Sequence, residues 1–377
     1  MDNFHDISPD GRARARGVGF HFDGTPGTYN SITDVEGLEF GLKTIVRGTS
    51  IRTGVTAIHP RGRNGLADPV AAGFHSQNGN GEMTGVSWIR ESGTFSGPIV
   101  LTNTHSVGIA HAGVISWTVK HHPDVAKVWL LPVVGETWDG YLNDINSHPI
   151  EESDIIECLE AADTGPVLEG SVGGGTGMNC YEFKGGNGTS SRLVNYGSRQ
   201  FTVGAFVQAN FGTREELTIA GVPFGKIFAT DNPMRASVVM PPGAGSCIGL
   251  VATDAPLLPD QCRALARRVS LGLARTGTTG SHFSGDLFLA FSTANVGAFT
   301  PGGVTFFGAA NAKIDHLDFL PWGNLDPLYE AVVQAVEEAV VNALVVNQEM
   351  IGHLGHRSPG FPASRVREHL ETMGSAQ

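Results

Sequence analysis

Long apolar runs are missing from this 377-residue sequence. None approaches the roughly 20 residues that a helix needs to cross a bilayer, so a membrane span is excluded. The opening stretch, MDNFHDISPDGRARARG, has no apolar segment of the kind that drives export. No signal peptide is therefore read there, and a cytoplasmic protein is expected. Cysteine is scarce: Cys158, Cys180, Cys247 and Cys262 are the four, with no C-x-x-C spacing. Free buried thiols are expected rather than disulfides. Charged residues are few, at 16%, and unbalanced, with 37 acidic against 25 basic and a net charge of −12. An acidic surface repels phosphate backbones and anionic lipid, which argues against nucleic acid and membrane surfaces as partners.

Several familiar catalytic signatures are absent as well. No serine sits in G-x-S-x-G or S-x-x-K, and neither H-E-x-x-H nor G-x-x-x-x-G-K-[ST] occurs. The Gly-rich stretch GSVGGGTGMNCYEFKGGNG, Gly170–Gly188, lacks the register of a phosphate cradle and reads as turns and tight backbone packing. Of the 14 histidines, the densest cluster is His121-His122-Pro-Asp124, at the expected end of a helix, where polar residues face solvent. His105 and His282 read as turn supports. No metal site and no cofactor is expected.

What the chain has in quantity is glycine, 51 residues, together with 41% hydrophobic residues. Short apolar runs alternate with Gly- and Asn-rich turns, with no repeat or linker to divide them. One continuous α/β domain over residues 1–377 follows. Strands are expected at Pro98–Thr102, Phe201–Ala209, Ser246–Ala252 and Asp286–Phe291. A helix is expected from Pro259 to Arg275, with Cys262, Leu265, Ala266, Val269 and Leu273 on its inner stripe and Gly277 as its stop. Another begins at Asp326-Pro327, read as N-cap and first-turn residue, and buries Val332, Ala335, Val336, Ala339, Val340 and Ala343. A third, over roughly Ser106–Lys120, is apolar enough to be expected mostly buried.

Chemistry concentrates in PPGAGSCIGLVATDAP, residues 241–256. A Pro/Gly segment able to take strained angles runs into Gly245-Ser246, and an apolar strand follows at once. If Ser246 Oγ attacks the Gly245 carbonyl, an N–O acyl shift yields an ester that water cleaves. The products are residues 1–245 and 246–377. Ser246 then carries a free α-amine, whose ordinary pKa of about 7.7–8.0 suits a general base near neutrality. Nucleophile and base share one residue, so no triad histidine is needed.

Ordered blocks along nearly the whole chain carry a resemblance. They include NSITDVEGL (30–38), TGVTAIHP (53–60), NGNGEMTG (78–85), GPIVLTNTHSVG (97–108) and VWLLPVVGETWDGYLND (128–144). VGGGTGMNCYEFKGG (172–186), VQANFG (207–212), GSCIGLVATDAPL (245–257) and GDLFLAFSTAN (285–295) follow. The sequence resembles the DmpA-like family of L-aminopeptidase/D-esterases and β-peptidyl aminopeptidases, self-processing hydrolases of the N-terminal-nucleophile type.

The resemblance implies a four-layer αββα sandwich, assembled as a homotetramer of αβ units around narrow active sites. It matches Ser246 to the nucleophile, Gly245-Ser246 to the processing site, and Ser284 and Asp286 to residues that orient the nucleophile and relay protons. Asn210 matches an oxyanion-hole amide, and Glu136 a carboxylate that receives the substrate's free amine. Trp138 stands where the family's E-T-Y-D-G block has tyrosine, and an indole cannot accept or lose a proton as a phenol can. Read without the resemblance, these residues have plainer alternatives. They are a turn for Ser284, a cap for Asp286, a turn asparagine at 210 and a solvated loop carboxylate at 136. The implied reaction is hydrolysis of small peptides, amides or esters with small L- or β-amino acids at the N-terminus. An acyltransferase of the ornithine acetyltransferase type, which uses threonine, and a silent protein keeping the fold are the rivals.

Overall fold

The computed structural model describes residues 3–236, 241, 243–300, 314–366 and 368–370. In chain order the elements begin with β1 (Glu39–Arg47), β2 (Ile51–His59), β3 (Val70–Ser76), α1 (Val86–Ser92), β4 (Thr94–Phe95) and β5 (Ile99–Asn103). Next come α2 (Val107–His121), β6 (Val133–Thr137), α3 (Glu152–Glu160), β7 (Asn179–Cys180), β8 (Phe183–Lys184), β9 (Gly186–Tyr196) and β10 (Arg199–Asn210). The chain continues with α4 (Phe224–Ile227), β11 (Gly245–Thr253), α5 (Pro259–Arg275), β12 (Ser284–Ser292) and α6 (Asp326–Val345), then β13 (Met350–Ile351) and β14 (Arg357–Ser358).

Two sheets face each other. One has the order β1-β2-β5-β6, the other β4-β3-β12-β11-β10-β9. Alternation along each strand divides the apolar residues between two layers of core. Ile248 and Leu250 of β11 turn inward with Phe206 and Leu289, against Ile58, Ile99, Leu101 and Val133 of the smaller sheet. Cys247 and Val251 point the other way, into the core under α5 and α6. On the far side, α2 and α3 cover the small sheet through Val114, Trp117, Ile155 and Leu159. The layers therefore run helix, sheet, sheet, helix.

The inner stripes expected of α5 and α6 are buried in full. All four cysteines are free and buried. Helix α2 is where burial departs from expectation. Only Ala110, Gly113, Val114, Trp117 and Thr118 are buried, and Val119 stands 53% exposed. It forms the outer layer with one face inward, and its apolar residues are spread around the helix rather than gathered on a stripe. Helix α6 starts at Asp326 itself with Leu325 in the cap position, so the aspartate lies in the first turn rather than capping it. Glycines in the 170–188 stretch do serve close packing: a Cβ at Gly188 would stand 1.9 Å from the Ala339 carbonyl oxygen of α6.

Strand β11 lies between β10, from before Gly245, and β12, from after it. Buried ion pairs add to this interleaving. Glu338 of α6 meets Arg16 Nε and Arg192 Nη2, each at 2.7 Å.

Candidate active site

Ser246 is the second residue of β11, and the register sets its neighbours. Asn210, last in β10, lies opposite it on one side and Gly285 of β12 on the other. Glycine is required just before the serine, because a Cβ at Gly245 would fall 2.1 Å from the Asn210 carbonyl oxygen. The Ser246 side chain is 2% exposed.

Two N–H groups converge on its hydroxyl. The Trp138 backbone N–H donates to Ser246 Oγ at 3.1 Å, and Asn210 Nδ2 donates to it at 3.2 Å. Asn210 also donates to the Trp138 carbonyl at 2.9 Å and accepts from the Asn179 backbone N–H at 2.9 Å. With a carbonyl on one side and an N–H on the other, the amide has one satisfactory orientation, and it turns Nδ2 toward Ser246. An asparagine of a tight turn would not be held at both ends.

Glu136 lies in β6, two residues before Trp138, and is 3% exposed, so it is no solvated loop carboxylate. It accepts from the Glu82 backbone N–H at 2.9 Å and from the Thr104 hydroxyl. Burial pushes its pKa up against the lowering effect of those bonds. Gly81 separates it from the strand beside the serine: a Cβ there would be 3.2 Å from Glu136 Oε1 and 3.4 Å from Gly285 Cα.

Ser284 and Asp286 both belong to β12, neither to a turn nor to a cap. Ser284 Oγ donates to Asp286 Oδ1 at 2.6 Å. They lie opposite Gly245 and Cys247 and alternate to the face away from Gly285. In the intact chain they flank the backbone around the Gly245–Ser246 bond rather than the serine hydroxyl. Burial raises the Asp286 carboxyl to about 7, although hydrogen bonds from Ser284 and Asn78 lower it.

A cavity of about 340 Å³ opens at this point, lined on one side by Trp138, Asn210 and Phe211. Pro241, Gly243 and Ala244, from the segment leading to Ser246, line another part of its wall.

The structure thus gathers Gly245, Ser246, Asn210, Glu136, Trp138, Ser284 and Asp286 into one place. At position 138 the backbone, not the indole, reaches the serine, and sequence reasoning looked only at the side chain. Asn179, Thr104, Glu82 and Asn78 were also missed. Each lies within a block that carries the resemblance, but nothing in its residue type singled it out. His105 is exposed, and its turn is supported by its backbone N–H on Asn103 Oδ1 rather than by the ring. His282 is also exposed, its ring against Phe283. His121 ends α2 and meets Glu160 at 2.9 Å. Among the described residues no group of three or more His, Cys, Asp or Glu is arranged to hold a metal ion, and no helix is long and apolar enough to cross a membrane.

Comparison with known proteins agrees with this geometry. Residues 30–358 match peptidase family S58. The β-peptidyl aminopeptidase BapA of Sphingosinicella xenopeptidilytica is 44% identical over 369 aligned residues, covering 94% of this chain and 90% of that protein. Its counterpart from Sphingosinicella microcystinivorans is 41% identical over 377 aligned residues, covering 95% and 92%. Among solved structures, the L-aminopeptidase D-Ala-esterase/amidase of Ochrobactrum anthropi is described as a prototype of the serine aminopeptidases and a variant of the N-terminal-nucleophile hydrolase fold. It superposes with a TM-score of 0.88 at 43% identity, over 96% of this chain and 99% of that one. A β-aminopeptidase from a Burkholderia species gives a TM-score of 0.85 at 42% identity, with the same coverage. The chain therefore belongs to peptidase family S58 and is a hydrolase, a serine aminopeptidase of the N-terminal-nucleophile type.

Proposed function

We propose that the protein matures by breaking its own Gly245–Ser246 bond and that Ser246 then removes the N-terminal residue of small peptides, amides and esters. The observation that carries this is the pair of N–H groups, from Trp138 and Asn210, aimed at one buried serine hydroxyl at the start of a strand. In maturation, Oγ adds to the Gly245 carbonyl carbon, the C–N bond breaks, and the nitrogen leaves as the α-amine of Ser246. Water then hydrolyses the resulting ester. In turnover, that amine takes the hydroxyl proton as Oγ adds to the substrate carbonyl, and passes it to the leaving amine or alcohol. Trp138 N–H and Asn210 Nδ2 stabilise the developing oxyanion, and a second water releases the acid from the acyl-enzyme.

Glu136 supports an exopeptidase. A buried carboxylate near the serine favours a substrate's N-terminal ammonium, and an interior peptide bond offers none. The cavity of about 340 Å³ leaves room for a small N-terminal residue, and the relatives' names, β-peptidyl aminopeptidase and L-aminopeptidase D-Ala-esterase/amidase, favour L-α or β residues there. Assembly as a tetramer of cleaved units is part of this proposal, and light scattering would measure it.

The test is intact mass and N-terminal sequencing of the wild type beside Ser246→Ala. Two fragments are expected, the second beginning Ser-Cys-Ile-Gly, with the variant left whole and inactive. A single uncut chain that still hydrolyses an amino-acid amide would refute the N-terminal-serine mechanism.

A further inference from the structure

Lys184 is fully buried and lies outside the chemistry described above. Its Nζ donates to two backbone carbonyls, Met178 O and Gly185 O, each at 2.7 Å. Two titratable groups act on it, the Cys180 thiol and Asp139, while both hydrogen bonds of its Nζ go to backbone carbonyls rather than to a carboxylate. Holding an ammonium out of water on carbonyls alone is costly, and a scaffold could fill the same volume with an apolar side chain.

The Met178 carbonyl and the Asn179 N–H belong to one peptide group. That same Asn179 N–H donates to Asn210 Oδ1 at 2.9 Å, and Asn210 Nδ2 donates to Ser246 Oγ at 3.2 Å. We propose that Lys184 is a positioning residue for the reaction, acting through the Met178–Asn179 peptide on the Asn210 amide that faces Ser246. A cation on a peptide oxygen draws density toward it and makes the N–H of that peptide a stronger donor. The Asn210 amide is polarised in the same sense, so its Nδ2–H binds an oxyanion more tightly. The ammonium thereby supplies charge to the oxyanion site without touching substrate. This rests on Ser246 as nucleophile and Asn210 as oxyanion donor.

Burial pushes the Lys184 ammonium down to about 7, with Cys180 and Asp139 opposing. The charge is therefore present below neutrality and lost as pH rises.

The experiment is a double-mutant cycle on the full chain: wild type, Lys184→Met, Asn210→Ala and the pair, with kcat, KM, melting temperature and extent of self-cleavage recorded. Lys184→Met is expected to lower kcat on the order of tenfold with KM little changed, less than deletion of the oxyanion donor itself. In the Asn210→Ala background the same substitution is expected to have no further effect. Equal effects in both backgrounds would overturn the relay and leave Lys184 in the scaffold. If Lys184→Met does not fold, the pH profiles of wild type and Asn210→Ala carry the test. An alkaline fall in kcat in the wild type that is missing from Asn210→Ala supports the relay. The same limb in both, or in neither, overturns it. Ser246→Ala assayed alongside separates the two ideas, since residual turnover there refutes the nucleophile rather than the relay.

Discussion

An asparagine can serve as an oxyanion donor only if its nitrogen is held toward the reacting atom, and at position 210 two backbone groups do the holding. The Trp138 carbonyl and the Asn179 N–H bracket the amide at 2.9 Å each. Asp286 presents a different case, since the proton-relay role that the resemblance implies for it depends on its charge. With the carboxyl raised to about 7 by burial, it ionises only as pH climbs through neutrality. As the ionised form it accepts the Ser284 hydroxyl proton, leaving the hydroxyl's lone pairs free to meet an α-amine on Ser246. That amine must also be neutral to act as a base. Two deprotonations then stand on the acid side of the profile, and kcat is expected to fall more steeply than one proton allows as pH drops below about 7. Asp286→Asn is expected to lower kcat and reduce the slope to that of one proton; an unchanged slope would remove Asp286 from the proton path. Glu136→Gln tests recognition in the same way. Losing a charge-assisted bond to the substrate ammonium is expected to raise KM for free-amine substrates about tenfold or more, while N-acetylated substrates stay refused.

At the scale of elements, the approach of β11 to β10 makes its own demand. Gly245→Ala would drive a methyl into the Asn210 carbonyl, which stands 2.1 Å from the Cβ position. Either the strand start moves away, carrying Ser246 off its two donors, or β10 yields and carries Asn210 with it. Self-cleavage is expected to slow by at least tenfold, readable as accumulated uncut chain on a gel, since about 1.4 kcal/mol of lost alignment suffices. Helix α5 was legible because one-sided burial imposes a 3.6-residue period, and α6 because a long apolar run follows Asp326-Pro327, although its residues 338–345 are buried on every side. Strands β10, β11 and β12 were legible because continuous apolar runs bounded by Gly and Asn read as buried strands. Strand β9 was not legible. Its Asn187, Thr189, Ser190, Ser191 and Arg192 are buried yet polar, and distant groups accept their side-chain donors: the Val172 carbonyl from Asn187, the Ala335 carbonyl from Ser190 and the Glu338 carboxylate from Arg192. No local pattern announces a strand whose polar groups are paid for by distant segments. The same reasoning covers the site. Its side chains were reached through resemblance, while the Trp138 N–H is a backbone donor that every residue but proline owns.

For the molecule as a whole, the question raised by the proposed cut after residue 245 is what would keep two pieces acting as one. The second piece holds β11, α5, β12 and α6, so it lies within the large sheet and over its outer face. Glu338 is its deepest ionic tie to the first piece, bonded to Arg16, Arg192 and Asn30, whose amide donates at 2.7 Å. Burial alone would raise the Glu338 carboxyl, but the hydrogen bond from Arg16 and the charges of Arg192 and Arg16 outweigh it and leave its pKa below the ordinary value. The sign follows from that depression. The folded state binds this proton less readily than the unfolded chain, so the pair's stabilisation is complete above the unfolded carboxyl's pKa. It disappears as pH falls through the lower, folded value. Glu338→Ala leaves Arg192, with 1% of its side chain exposed, buried without its carboxylate. A loss of about 3–5 kcal/mol is expected, the usual result of breaking a buried pair from one side. Urea melts over a pH series should show the wild type losing part of its margin in acid and the variant starting lower and changing less. Because the tie crosses the cut, the variant is also expected to release free 246–377 fragment on gel filtration in urea concentrations that the cleaved wild type survives. If both pieces stay together equally well, the interleaved sheet rather than the ion pair holds the mature enzyme.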